Sequence, residues 1–445
     1  MVFGFRNCNT TQIVFYWEIP TPSLINRSMH YSDFIVDPKI TALLQELRKE
    51  GRDSQEYSDI IDEQGHQYVD LVLEGGGVLG VALVGYTWML EQMGLRFASV
   101  AGTSAGAINA MLLAAHSDTN NKGQLSSEWV LDKIANTRFE LFLDGPKHAR
   151  KIVAKVLSGN GLLSIGFSAL RIKKYLKQHL GMHPGLAFEQ WLGAALAEMD
   201  IHKMADLTKS LAQKTQRLQS RSMHADTSTG TGTGTGTSIE ITAVKIAVIC
   251  AELSTQSKIE LPKMASLFWE KPETVSPAKH VRASMSIPAF FHPMKVPIEG
   301  WRPESWSDFT GFRGKAFKEA TLVDGGIVSN FPIHVFHKKG IPRRPTFGVK
   351  LNNSRAAAQT VNTLGQKVGM SFSTARHLFD YDFLYKNPDY RQLIGFINTG
   401  EYHWLNFSLS SAEKKDLFYR GAQAAATFLR RFDWGKYRSL RLAQV

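Results

Sequence analysis

The chain has 445 residues, of which 43% are hydrophobic and 21% charged, an ordinary globular composition that excludes an intrinsically disordered chain. Lys and Arg outnumber Asp and Glu by 52 to 40, a formal net charge of +12, so the surface attracts phosphate-bearing partners, either nucleic acid or an anionic membrane face. The only cysteines, Cys8 and Cys250, exclude a disulfide framework and every multi-cysteine zinc pattern.

Near the N-terminus the longest apolar run, residues 13–17, is too short for a signal-peptide core. Residues 78–90 and 98–115 are apolar, but the first is too short to cross a bilayer and both are diluted by Gly, Ser, Thr or Asn. The expectation is a cytoplasmic chain, peripheral to membrane, with no signal peptide and no transmembrane helix.

In chain order, residues 1–66 read as an N-terminal extension carrying one helix around the charged stretch 43–52. Residues 68–73 form an apolar, β-rich run followed by a glycine cluster and a helical stretch to residue 93, which is strand, tight turn, helix. A second strand at 97–101, a Gly-Thr-Ser-Ala-Gly turn and a helix to residue 115 repeat the pattern. Two such units predict a mostly parallel sheet in a three-layer α/β/α fold.

Between 125 and 220 the signals are helical, fit to cover a sheet edge or form a lid. Within them, residues 167–180 carry leucines beside a basic face, a pattern that suits a bilayer surface or a core-facing helix. The Thr/Gly run 227–238 cannot bury apolar area and reads as a mobile loop. It interrupts one domain, because 239–249 reads as a buried strand. Another strand at 347–351, a β-like stretch at 393–409 and a helix at 412–431 follow. The domain reading is therefore 1–66, 67–351 and 352–445, the last completing the same fold.

Gly75-Gly76-Gly77-Val78-Leu79-Gly80 satisfies the dinucleotide fingerprint. A ribose-binding acid should then close the second strand, but that strand ends Val100-Ala101-Gly102-Thr103, so no nucleotide cofactor is expected. The next residues, Gly102-Thr103-Ser104-Ala105-Gly106, are a G-x-S-x-G in the strand-to-helix setting of a nucleophile elbow. Such a pentapeptide arises about 0.15 times by chance in a chain of this length, so its context carries the reading. There a serine stands beside the unsatisfied N–H groups of a helix start.

Acyl transfer also needs donors for the tetrahedral oxyanion. The N–H of Ala105 is one candidate, and Gly75, Gly76 and Gly77 supply others, since main chain without Cβ can approach a reacting carbonyl closely. A serine further needs a base. Asp324, in Asp324-Gly325-Gly326 after a strand-like 320–323, leads; His334, His337, His377 and His403 are the alternatives. The basic tail residues Arg430, Arg431, Lys436, Arg438 and Arg441 are candidates for anionic headgroups.

Taken in order, Gly75 to Gly80, Gly102 to Gly106 and Asp324-Gly325-Gly326 resemble the patatin-like phospholipase family. So do Ala283-Ser284-Met285-Ser286-Ile287-Pro288 and Asn330-Phe331-Pro332. The resemblance covers about 68–350. It implies a lipid acyl hydrolase with a Ser104–Asp324 dyad, no histidine, and no metal or organic cofactor. Its substrate would be a phospholipid or lysophospholipid at an anionic membrane surface. Nucleic acid is not expected as a partner, since no reading motif is present, and no protein partner can be named. Family members usually carry Arg or Lys where this chain has Leu79. That departure leaves an alternative, a catalytically weak domain that binds a membrane surface or an anionic polymer.

Overall fold

The computed structural model describes residues 29–116, 123–147, 149–150, 174–221, 244–338, 340–352, 374 and 383–444. Cys8, His377, the loop at 227–238 and residues 167–173 of the basic helix lie outside the described residues.

Among the described residues the first elements are α1 (Ser32–Ile35) and α2 (Pro38–Lys49), where one helix was expected. Asp37 caps α2 by accepting from Lys39 N–H, and Pro38 takes the first helical position, where a missing N–H costs nothing. The two-residue β1 (Ile60–Ile61) leads into β2 (Gln67–Leu73), whose run is buried at every position except Tyr68, as a strand covered on both faces must be. Then come α3 (Gly80–Gln92), β3 (Leu95–Thr103), α4 (Ala105–Ala115) and α5 (Ser126–Ala135).

Across the predicted helical region run β4 (Gly181–His183), α6 (Leu186–Ala197), α7 (Met204–Gln216) and β5 (Gln219–Ser220). The remainder contains β6 (Ile246–Glu252), β7 (Ser257–Leu261), α8 (Pro277–Ser284), β8 (Ala289–Phe291), β9 (Met294–Pro297) and α9 (Pro303–Thr310). The last elements are β10 (Glu319–Asp324), β11 (Thr346–Asn352), β12 (Ile394–Asn398), α10 (Ser411–Arg431) and α11 (Trp434–Leu442).

The central strands run parallel in the order β12-β11-β2-β3-β6, flanked by helices, while β7, β9 and β10 add antiparallel pairs. The three-layer α/β expectation is met by this mixed sheet. Helix α3 is buried from Gly80 through Glu91, consistent with a helix apolar on all sides. It meets α10 through paired glycines: a Cβ on Gly85 would lie 1.9 Å from the Phe418 carbonyl oxygen, and one on Gly421 1.9 Å from that of Ala82. Only glycine allows the two backbones this close.

Two stretches depart from the sequence reading. At 393–409 the strand stops at Asn398, and Gly400, with φ +63°, turns the chain out of the ladder; Phe407 and Leu409 are buried without strand pairing. After α10, a further helix α11 starts at its cap Asp433, which accepts from Lys436 N–H at 2.9 Å.

The basic tail is engaged within the chain. Arg430 pairs with Glu46 and Glu50, Arg438 with Asp59, Lys436 with Asp433, and Arg441, 5% exposed, with Asp389. Arg431 donates to the Ile394 carbonyl. Arg430, Arg431, Arg438 and Arg441 tie the C-terminal helices to α2, to β12 and to the segments around Asp59 and Asp389, whereas Lys436 stays exposed and pairs only within its own helix start. Among the described residues no helix is long and apolar enough to cross a membrane.

Candidate active site

Strand β3 ends at Thr103, and α4 starts two residues later. Ser104 between them adopts φ 53° and ψ −117°, a conformation that L-residues rarely accept and that local packing must enforce. The flanking glycines explain how. A Cβ on Gly102 would lie 2.2 Å from the carbonyl carbon of Gly106, and one on Gly106 would lie 2.1 Å from the Leu73 carbonyl oxygen. The turn closes only when both side chains are absent. Ser104 is 6% exposed.

Each residue of β6 from Val248 to Glu252 has a partner in β7, which therefore lines one edge of β6. The other edge is shared. Strand β3 pairs with it up to Thr103 opposite Ile249, and β10 arrives from the opposite direction, with Asp324 opposite Cys250. The tips of β3 and β10 thus meet end to end, and Ser104 and Asp324 lie where they meet. A Cβ on Gly325 would be 2.2 Å from the Ile249 carbonyl oxygen and 3.0 Å from Thr103 Cγ2. Thr103 Oγ1 also donates to the Ser329 carbonyl at 2.8 Å.

Asp324 is 7% exposed and caps the turn at Gly325–Ile327, where its Oδ1 accepts from Gly326 N–H at 2.6 Å. The segment after α8 holds both strand tips. Ser104 N–H donates to Ser284 Oγ at 2.9 Å, Ser284 Oγ donates to the Ile249 carbonyl, and Asp324 N–H donates to the Ser286 carbonyl at 2.9 Å. Both serines lie in the stretch 283–288 that carries part of the family resemblance, where the sequence reading named no catalytic residue. Their signal was a spacing of two at a helix end before a proline.

The glycine turn corrects one expectation. Gly75 N–H donates to the Asn330 carbonyl at 3.0 Å, and Asn330 Nδ2 returns a bond to the Gly75 carbonyl at 3.0 Å. Gly75 therefore anchors the turn, and its amide is already engaged, which leaves Gly76, Gly77 and Ala105 as the remaining candidates for oxyanion donors. A Cβ on Gly75 would lie 3.3 Å from Ser104 Cβ, so the turn runs directly beside the serine. Gly77, at φ +55°, packs on the Trp404 carbonyl, which also accepts from Val78 N–H at 3.0 Å. Leu79 is 1% exposed.

From Ser104 a cavity extends between α4, α5 and α6, lined by Ile108, Ile134, Phe139, Phe142, Phe188 and Trp191 among others. Its hydroxyl and amide groups are those of Ser104 and Asn109, and Asn109 Nδ2 is occupied by the Ala105 carbonyl at 3.0 Å. The space suits a hydrocarbon chain.

Of the alternative bases, His334 contacts Lys258 Nζ at 2.7 Å, and burial lowers its pKa to about 4. His337 meets the Tyr390 hydroxyl at 3.0 Å, and His403 accepts from Leu405 N–H at 3.2 Å. None of these contacts involves Ser104. Cys250, level with the strand tips, is buried, and burial, with Asp324 and Glu252 nearby, raises its thiol pKa. Among the described residues no group of three His, Cys, Asp or Glu side chains could hold a metal ion.

Comparison with known proteins bears on this arrangement. The family profile described as patatin-like phospholipase matches residues 71–337. A protein of Bacillus subtilis (strain 168), the uncharacterized protein YqhO, is 26% identical over 371 residues, spanning 82% of this chain and all of that protein. Among solved structures, VipD from Legionella pneumophila is 16% identical with a TM-score of 0.36, covering 84% of this chain and 70% of that one. The ExoU–SpcU complex of the Pseudomonas aeruginosa type III secretion system gives 14% identity and a TM-score of 0.31, covering 84% and 52%. The profile spans both strand tips, the glycine turn and the connecting helices, and by that match the chain belongs to the patatin-like phospholipase family.

Proposed function

We propose that the chain is a serine acyl hydrolase that cleaves a carboxylic ester of a phospholipid or lysophospholipid. Ser104 Oγ attacks the ester carbonyl as Asp324 takes its proton, and the N–H groups of Gly76, Gly77 and Ala105 hold the oxyanion. Collapse breaks the ester C–O bond, and Asp324 returns the proton to the leaving alcohol. Water then attacks the acyl-serine, losing a proton to Asp324, and Ser104 is regenerated as the fatty acid leaves. The acyl chain lies in the apolar cavity, while the headgroup stays toward an anionic membrane surface.

The observation that carries this reading is the end-to-end meeting of β3 and β10 on one edge of β6, beside an apolar cavity that reaches Ser104. The test is hydrolysis of a chromogenic short-chain ester and of mixed phospholipid vesicles by the wild type, Ser104→Ala and Asp324→Asn. Turnover that disappears in both variants supports it. Wild-type inactivity, or full activity in Ser104→Ala, rejects it, and vesicle binding without turnover would leave the binding-module reading.

A further inference from the structure

At the end of α8, beside the Phe291 wall of the apolar cavity, lies a buried cation with no ion-pair partner among the described residues. Arg282, in the last turn of α8, is 4% exposed, and no carboxylate of the described residues pairs with it. Burial pulls its pKa down, against the fields of Glu189 and Asp144. A guanidinium removed from water this fully must have its donors satisfied by fixed acceptors. Here those acceptors come from three separate segments.

Its Nη1 donates to Ser286 Oγ, and its Nη2 donates to the carbonyls of Pro184 and, at 3.0 Å, His292. Ser286 Oγ in turn donates to the Arg282 carbonyl at 2.8 Å, which closes a ring around the end of α8. The space is shaped for this side chain: a Cβ on Gly185, at φ +75°, would lie 2.5 Å from Arg282 Nε. The guanidinium also sits 5.9 Å from the ring centroid of Phe291, a residue of the cavity wall. One planar fork therefore joins the β4–α6 junction, the β8–β9 junction and the turn at 284–286.

That turn is the one that holds both strand tips, through Ser284 to Ser104 N–H and through the Ser286 carbonyl to Asp324 N–H. We propose that Arg282 is a positioning residue for acyl transfer, locking the Ser284–Met285–Ser286 turn so that Ser104 and Asp324 stay in register. It touches neither reacting group and acts through the two serines. The inference rests on the acyl-hydrolase reading above and adds to it the element that sets the distance between the two side chains. Lysine can supply the charge but not the fork that reaches three acceptors.

The test measures the second-order rate of covalent labelling by a fluorophosphonate, which reports serine reactivity without an acyl chain to bind, together with kcat and KM on a short-chain ester. Variants are Arg282→Met, Arg282→Lys and Ser286→Ala, with Ser104→Ala as the blank, all assayed well below their melting transitions. Misplacing a reacting group by about an ångström costs on the order of 100-fold, so Arg282→Met should lose about that much labelling rate and kcat. Arg282→Lys should recover only part, and Ser286→Ala should lose about tenfold, with KM within about threefold throughout.

Wild-type labelling that is absent or independent of Ser104 overturns the acyl-hydrolase reading and this proposal with it. Ser104-dependent labelling with Arg282→Met or Ser286→Ala at the wild-type rate overturns the proposal alone. So does a loss confined to KM, or complete recovery in Arg282→Lys. Should Arg282→Met fail to fold, Ser286→Ala, which removes only a hydroxyl, decides the outcome by the same measurements.

Discussion

Thr103 and Asp324 occupy consecutive places along one edge of β6: Thr103 lies opposite Ile249 and Asp324 opposite Cys250. One strand approaches this point in parallel and the other antiparallel, so two chain ends from distant parts of the sequence converge on a single residue step of about 3.4 Å. The convergence gives a serine at the first tip and a carboxylate at the second a common position, and several measurable consequences come from it.

Gly325 is the spacer between the tips. Its missing Cβ would sit 2.2 Å from the Ile249 carbonyl oxygen, so Gly325→Ala must push β10 away from β6. Overpacking of this kind costs about 1–3 kcal/mol. Urea denaturation should show that loss, and ester hydrolysis should fall by about 100-fold from the displaced aspartate. Unchanged turnover with an unchanged midpoint would mean that the tips are not held this closely.

The backbone of Ser104 is strained at φ 53°. Ser104→Ala and Ser104→Gly both remove the nucleophile and should lower turnover by about 10⁴-fold or more. They should differ in stability, because glycine accepts this conformation and alanine does not. Ser104→Gly is expected to be the more stable of the two by about 1–3 kcal/mol in chemical denaturation, and equal midpoints would count against the strained elbow.

Chain-length preference should be set in the cavity beside Ile108. Ile108→Trp fills the space that would hold the acyl chain beyond its first carbons. Hydrolysis of a long-chain ester should fall by more than about tenfold, while a short-chain ester changes by less than about threefold, since pocket volume discriminates chains only where they reach. An equal loss on both esters would place the acyl chain elsewhere.

Three histidines, His183 and His280 buried and His334 half-buried, make stability depend on pH. Burial lowers His183 and His334 to about 4 and His280 to about 3, from an ordinary value of 6.5. The unfolded chain therefore binds more protons than the native state below pH 6.5. The stabilisation is complete above that value and is lost as pH falls through 4 and toward 3. Urea midpoints measured at pH 7.5, 5.5 and 4.5 should decline in that order. His280, stacked on Trp269 at 5.5 Å with no hydrogen-bond partner for either ring nitrogen among the described residues, is the cleanest probe. Its replacement in His280→Leu should flatten the decline by about one proton, and an unaltered slope would contradict its neutral burial.

How much of this was legible before folding depends on the range of the forces involved. The two strand–turn–helix units were readable because their causes are local: apolar runs of strand length, and glycines at 102 and 106 where any Cβ would strike the backbone within a few residues or across one neighbouring strand. The caps at Asp37 and Ser410 are equally local. Residues 399–409 misled because burial of Phe407 and Leu409 resembles strand patterning, although their contacts lie outside the sheet. The engagement of Gly75 N–H by Asn330, the hold of Ser284 and Ser286 on the two tips, and the seating of Arg282 each join segments far apart in the chain, so their partners could not be read from local pattern. Residue order and steric size dictated which turns could form. That the β10 tip carrying Asp324, already the leading candidate in the sequence, meets the β3 tip was decided by the edge of β6 on which β10 pairs, a choice made by long-range packing and hydrogen bonding that no spacing along the chain encodes.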